Sequence, residues 1–202
     1  MSNTFLAPDG KPRCAWCASA PEFLDYHDRE WGFPVSDDRR LFEKLCLESF
    51  QSGLSWRTIL AKRENFRAAF FQFDFDRVAE FDGKDVERLL GDKGIVRHRG
   101  KIEAVINNAS RARELVRDEG SLAAFVWRFE PAASQLAEPQ TASTSAASVA
   151  LSKELKRRGW RFVGPTTVYA FMQAMGLVND HVSGCAIRRD VEQARKTFHP
   201  PG

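Results

Sequence analysis

Apolar residues recur along this chain at one-turn intervals, and the residues between these runs are those that start and stop helices. Asp37-Asp38 precede Leu41, Phe42 and Leu45, which predicts a capped helix. Ile59, Leu60, Phe66 and Phe70 continue a helical spacing after Ser55-Trp56. Asp82-Gly83 opens a segment carrying Val86, Leu89 and Leu90, with Gly94 as its expected C-cap. Ile102, Val105, Ile106, Ala109 and Ala112 form a long stripe, and Ser121 caps a short helix with Leu122, Phe125, Val126 and Phe129. Leu151 and Leu155 belong to a helix ending at Gly159. Pro165 suits the first position of another, with Val168, Phe171, Met172 and Met175 before Gly176. Between them, Pro131 to Ser148 is rich in Ala, Ser, Thr, Pro and Gln, has no apolar period, and predicts a long surface loop. No alternating strand pattern and no internal repeat is visible. The predicted class is all-α.

Composition narrows the picture. The 202 residues suit one domain or one compact two-lobed unit, and 43% hydrophobic residues exclude a disordered chain. Apolar runs are broken by charge well short of the roughly 20 residues that span a bilayer. No signal-peptide pattern is visible, so the expected location is cytoplasmic. A net charge of +3 permits a polyanionic partner without requiring one. In a reducing compartment the four cysteines, Cys14, Cys17, Cys46 and Cys185, point to metal binding or burial rather than disulfides.

Cys14 and His27 near one end, with His181 and Cys185 in H-V-S-G-C near the other, supply two thiolates and two imidazoles, a donor set that suits tetrahedral zinc. Cys14 and Cys17 also form C-A-W-C, so Cys17 in place of His27 is chemically open, as is simple burial. Four filled positions leave none for water, which makes the expected metal structural, a tie between the two ends of the chain.

Trp16, Phe23, Tyr26 and Trp31 cluster near the N-terminus, followed by L-E-S-F-Q-S-G-L-S-W with Glu48 and Trp56. One reading is an aromatic core. The other is a pocket in which rings stack on a purine while a carboxylate accepts from its exocyclic amine, an arrangement that favours a cationic base. Glu48 falls on the apolar side of its helix, three residues after Leu45, where an unpaired carboxylate is costly, and this favours the functional reading. Leu54, in the glycine-permitted turn after that helix, is a candidate wedge into a base stack. Further on, L-K-R-R-G-W-R-F-V-G-P-T-T-V-Y-A-F-M-Q-A predicts two helices joined by a hairpin in which Gly164 makes the turn. The free amides of the second helix suit phosphate. Lys153, Lys156, Arg157, Arg158 and Arg161, with Arg97, Arg99 and Lys101, would add positive potential; the alternative is a plain αα-hairpin with a solvated basic face.

Four blocks then stand in one order: C-A-W with Y-H-D-R-E-W-G; L-E-S-F-Q-S-G-L-S-W; G-I-V-R-H-R-G-K-I; and F-V-G-P-T-T-V-Y-A-F-M-Q-A-M-G-L-V-N-D-H-V-S-G-C. In them the chain resembles the family of 3-methyladenine DNA glycosylases I, bacterial base-excision repair enzymes of the helix-hairpin-helix superfamily. The resemblance runs from about residue 13 to 185. It implies a zinc ion on Cys14, His27, His181 and Cys185. It implies that Glu48 is the catalytic acid group, that Glu48 and Tyr26 hydrogen-bond the excised base, that Trp56 stacks on it, and that Trp16, Phe23 and Trp31 help form the pocket. Leu54 would enter the DNA, and Gly164 and Thr166 would grip its backbone. The implied organisation is an N-terminal extension over 1–12, expected to be flexible, one glycosylase domain over 13–190 with the hairpin at about 150–176, and a tail over 191–202.

Two departures are visible: Phe23 stands where the family has a tyrosine, and Ser49-Phe50 replace more polar neighbours of Glu48. The wider superfamily carries an aspartate where this chain has Asn179, an absence the resembled family shares and a cationic base tolerates. Thr167 occupies the position of the superfamily's Schiff-base lysine, which implies hydrolysis without strand cleavage. The implied partner is double-stranded DNA bearing alkylated bases, met by a monomer with no membrane contact. Two rivals are a non-catalytic zinc-containing damage-binding module and a hydrolase using zinc catalytically.

Overall fold

The computed structural model describes residues 3–201. Among these, a two-stranded antiparallel sheet, β1 (Thr4–Leu6) and β2 (Pro12–Cys14), precedes eleven helices: α1 (Pro21–Arg29), α2 (Asp38–Gln51), α3 (Trp56–Ala61), α4 (Arg63–Ala69), α5 (Phe75–Val78), α6 (Gly83–Gly91), α7 (Arg99–Glu119), α8 (Leu122–Trp127), α9 (Ala146–Arg157), α10 (Pro165–Ala174) and α11 (Arg188–Thr197). The fold is mostly helical, as the apolar spacing predicts.

The strands correct the expectation of no β-structure. Thr4 lies opposite Cys14 and Leu6 opposite Pro12. Three residues per strand are too few for an alternating pattern to register in sequence. The hairpin also begins within the first dozen residues, expected to be flexible, and runs on to Cys14; Met1 and Ser2 are outside the described residues. At the other end α11 runs across the boundary drawn at residue 190 and buries Val191, while Gly202 lies outside the described residues.

Helix starts follow local chemistry. Asp37 accepts from the Arg40 amide at 2.8 Å, Ser55 caps α3, and Asp82 with Asp85 closes a capping box on α6. The Asp38 carboxylate accepts from the amides of Leu122 and Ala123 at 3.0 and 2.8 Å, so the first turn of α2 also satisfies α8. Gly94 is not the cap of α6, which ends at Gly91. It sits instead against Asn65, whose side chain would lie 3.1 Å from an added Cβ.

Helix α2 is the centre of the molecule, buried at every position from Leu41 to Phe50. Helices α3, α7, α8 and α10 pack on it, and the Phe50 ring meets Phe66 at 4.6 Å within a run of phenylalanines that continues through Phe70 and Phe73. Lys101, expected on a basic surface, is buried instead. Its ammonium donates to the carbonyls of Phe50 and Ser52 at 2.9 and 2.5 Å and so satisfies the end of α2. That end therefore points, rigidly held, toward the turn that carries Leu54.

The α9–α10 hairpin turns at Gly159 (φ +82°) and Phe162 (φ +56°), not at Gly164, whose φ is −65°. Asn108 of α7 bonds both the carbonyl and the amide of Arg161, Ser152 donates to the Val163 carbonyl at 2.6 Å, and Ser49 donates to the Phe162 carbonyl at 2.9 Å. Three helices thus fix the hairpin loop.

Candidate active site

Helix α1 presents Phe23, Tyr26 and His27 at one-turn spacing, with Trp31 just past its end. Trp16, in a 3₁₀ turn after β2, lies edge-on to four rings: Trp31 at 5.2 Å, His27 at 5.4 Å, Phe23 at 5.6 Å and Tyr26 at 6.4 Å. Trp56, at the start of α3, meets Tyr26 at 5.4 Å. Glu48 comes from the centre of α2 and is 6% exposed.

These residues enclose one cavity of about 310 Å³, lined by Trp16, Tyr26, Trp31, Glu48 and Trp56 together with Gln51, Gln140, Gln173 and Asp180. That size is at the small end of ligand sites and suits a single flat base. Phe23 does not line it. This ring packs behind Trp16 in a separate small cluster with Cys17 and Ala20, so the loss of a phenol at this position leaves the cavity wall unchanged.

Four cavity residues escaped the sequence reading. Asp180 accepts from the Gln140 amide at 3.0 Å and from the Gln173 side chain at 2.6 Å, and burial raises its pKa above the usual carboxylate value. The segment from 131 to 148 is therefore more than a surface loop, because Gln140, at φ +60°, is clamped over the cavity mouth by that carboxylate. With both Asp180 oxygens engaged, Glu48 is the cavity acid with an oxygen to spare. Its Oε1 pairs with the Lys44 ammonium at 2.8 Å, and among the described residues nothing engages its second oxygen.

A groove of about 380 Å³ adjoins the cavity and shares Glu48, Gln51 and Ala170 with it, while Ser52, Gly53, Leu54, Thr166 and Thr167 line the rest. Leu54 is 43% exposed, following Gly53 at φ +81°. An added Cβ at Gly164 would meet nothing within 4 Å, so the amide end of α10 is open. The two blocks carrying Leu54 and Thr166 therefore flank a single groove that opens onto the aromatic cavity. The expected basic surface is thinner than its residue count suggests. Arg99 is paired with Glu87 at 2.5 Å, Arg157 with Glu154 at 2.6 Å, and Arg158 with Glu154 and Glu119. Lys153, Lys156, Arg97 and Arg161 form no ion pair among the described residues.

Behind Trp16 the chain ends meet. Cys14, His27 and Cys185 place their ligand atoms within 4.8 Å of one another, all buried. The His181 ring lies 4.7 Å from that of His27, and its Nε2 is buried without a partner. Each imidazole is held by its other nitrogen, His27 Nδ1 by Asp28 at 2.7 Å and His181 Nδ1 by Asn179 at 3.0 Å. Arg13 in turn grips Asp28 at 2.9 Å. The hydrogen bond to Cys185, reinforced by burial, pushes the Cys14 thiol up, and the same bond with help from His27 holds Cys185 well below the usual thiol value. Burial, with His27 adjacent, lowers His181 to about 4, leaving a neutral imidazole able to donate a lone pair. Cys17 stands apart, donating its thiol to the Cys14 carbonyl at 3.1 Å.

Comparison with known proteins bears on this arrangement. The family described as methyladenine glycosylase matches residues 16–189. DNA-3-methyladenine glycosylase 1 of Escherichia coli K12 is 51% identical over 86% of this chain and 95% of its own. The Haemophilus influenzae DNA-3-methyladenine glycosylase is 43% identical over 86% and 96%. Among solved structures, a crystal structure of 3-methyladenine DNA glycosylase I superposes with a TM-score of 0.80 at 50% identity, covering 86% of this chain and 98% of that one. The Staphylococcus aureus enzyme, solved for the structural basis of 3-methyladenine recognition, gives 0.80 at 35% identity, covering 87% and 96%.

Proposed function

The chain belongs to the methyladenine glycosylase family, and from that premise we propose that it excises 3-methyladenine from alkylated DNA by hydrolysing the N-glycosidic bond of a nucleotide flipped into the Trp56–Tyr26–Glu48 cavity. The observation that carries this reading is the buried Glu48 carboxylate opening onto an aromatic cavity of one-base size.

Trp56 and Tyr26 supply faces for a flat, positively charged base, and the free Glu48 oxygen accepts from its exocyclic amine. Because the base already carries positive charge, the bond to the sugar is weak. Holding the base apart from the sugar, and stabilising it as it leaves while water attacks the sugar carbon, is then sufficient chemistry. Asn179 is committed to His181 Nδ1 and to the Arg188 carbonyl, so no base acts from that position. Thr167 offers no amine for a covalent sugar adduct. The product is an abasic site in an unbroken strand.

The groove beside the cavity suits double-stranded DNA, with Leu54 filling the vacated stack and Gly164 and Thr166 offering the amide end of α10 to a phosphate. In this reading residues 13–190 act as one two-lobed helix-hairpin-helix unit, monomeric and cytoplasmic. No helix among the described residues is long and apolar enough to cross a membrane.

Cys14, His27, His181 and Cys185 would hold a zinc ion. Support comes from the buried, unpartnered His181 Nε2, from the three ligand atoms already gathered, and from the Asp28 and Asn179 contacts that orient both imidazoles. Two sulfurs and two nitrogens close a tetrahedron, so the metal would supply folding energy and not chemistry, tying β2 and α1 to the segment before α11.

The test is product analysis. Purified protein incubated with methylated duplex DNA should release free 3-methyladenine and leave abasic sites that nick only after alkali. Binding to the DNA without release of base would mean a damage sensor instead.

A further inference from the structure

The three side chains assigned to the base are joined by a fourth that none of the sequence motifs contains. Lys44, one turn before Glu48 on α2, is buried, and its ammonium makes three contacts. It lies 2.8 Å from Glu48 Oε1, donates to the Tyr26 hydroxyl oxygen at 2.7 Å, and sits 3.5 Å from the centre of the Trp56 ring. The same ammonium also lies 4.9 Å from the centre of the Tyr26 ring. Lys44 does not line the base cavity. It lines the smaller cleft behind it, with Tyr26, Trp56, Glu30, Arg40, Glu43 and Arg63.

We propose that Lys44 is a positioning residue for base excision, holding the Glu48 carboxyl group, Tyr26 and Trp56 in register from behind the cavity. The inference rests on the function proposed above and concerns how its pocket is kept ready. Lys44 holds one Glu48 oxygen, which restrains the carboxyl group on the wall of the cavity it lines. Because the phenol oxygen of Tyr26 accepts from Lys44, its own hydrogen must point elsewhere. The ammonium occupies one face of Trp56, so a base takes the other. Its charge also offsets that of Glu48. Selection for a charged base therefore comes from how the base is bonded and stacked more than from a net negative pocket.

The groups facing this ammonium set its pH behaviour. Glu48 and Glu43 come from its own helix, Tyr26 and Glu30 from α1 and its end, and Arg63 from α4, with Arg40 at the cleft edge. Glu30 is bound by Arg63 at 2.7 Å and Glu43 by Arg67 at 2.8 Å, so Glu48 is the acid left to Lys44. Burial lowers the Lys44 pKa from its ordinary 10.5, and the adjacent Glu48 opposes that shift.

Lys44→Met keeps the length and removes the ammonium, so Glu48, Tyr26 and Trp56 lose the group they share. Base release from methylated duplex DNA should fall roughly tenfold or more, with kcat and kcat/KM lowered together. Glu48→Gln should be impaired further, by about a hundredfold or more. A Lys44→Met protein with the kcat and kcat/KM of the unmodified protein overturns the inference while leaving the proposed function intact. An unmodified protein that releases no base overturns the function itself. If the variant does not fold by circular dichroism, ¹⁵N NMR of the unmodified protein decides. Adding free 3-methyladenine should shift the Lys44 ammonium resonance and leave that of buried Lys101 in place, and an unmoved Lys44 signal overturns the inference.

Discussion

A carboxylate in the middle of a buried helix is costly unless something repays its lost hydration. At Glu48 an ammonium on the same helix does so in part, and one oxygen is left over for a ligand. Asp180 shows the contrast. It is equally enclosed by the cavity, but both its oxygens are used to hold Gln140 and Gln173, and its role is to shape the mouth. Replacing Glu48 by Gln keeps the shape and removes the charge. It should reduce 3-methyladenine release by about a hundredfold or more, the scale of losing one group aimed at developing charge, while duplex binding by gel shift changes less than about threefold. A variant with undiminished turnover would move the chemistry to another residue. Glu48 was legible in the sequence because it broke an apolar stripe. Lys44 was not, because a lysine four residues from a glutamate reads as an ordinary solvent-exposed helix pair. Only the burial of α2 on every side removes that reading.

Elements position these groups by how they end. The last carbonyls of α2 are taken by Lys101, so the turn carrying Gly53 and Leu54 leaves a fixed point. At the end of α10, Gly176 has φ +84°, and an added Cβ would lie 2.5 Å from the backbone of Pro34. Both the left-handed backbone and the close approach exclude a side chain there. Gly176→Ala should therefore lower stability by about 3 kcal/mol or more, read as the urea midpoint, because a backbone neighbour cannot move aside as a flexible side chain would. A loss under about 1 kcal/mol, the cost of the backbone conformation alone, would show that the two segments separate easily. The sequence reading placed this glycine at the end of its helix on spacing and propensity. The contact with Pro34, more than a hundred residues away in the chain, has no local signature. The same holds for the hairpin, where Gly164 looked like the turn but Phe162 takes the positive φ, its carbonyl anchored by Ser49.

At the scale of the whole molecule, the two ends of the chain meet at Cys14, His27, His181 and Cys185, directly behind Trp16 and Trp31 of the cavity wall. A metal held there would stabilise the wall from the rear. Stripping zinc with a chelator should lower the melting temperature by roughly 10 °C or more and weaken base release in parallel, with metal content followed by atomic absorption. Loss of activity with an unchanged melting curve would instead make the zinc catalytic. The metal-free protein should also be acid-sensitive. His181 is held at about 4 against 6.5 when unfolded. Between these values the unfolded chain binds the proton and the folded one does not. The stabilisation is thus full above the unfolded value and is lost as pH falls toward 4, by up to about 3 kcal/mol. Urea midpoints of the metal-free protein at pH 7 and pH 5 measure this, with the lower midpoint expected at pH 5.

The linear pattern of residues was enough to determine the helical class, most helix starts, the family and five of the side chains around the cavity, because helix periodicity, capping and motif spacing are local properties carried within a few turns of chain. Proximity decided the rest. That Phe23 faces away from the cavity, that Gln140 closes over it, that several arginines are already neutralised, and that Lys44 stands beneath Glu48 all depend on which distant segments share a volume. Burial changes what a charged group costs and whom it can touch, and burial is set by the assembled molecule rather than by any stretch of its chain.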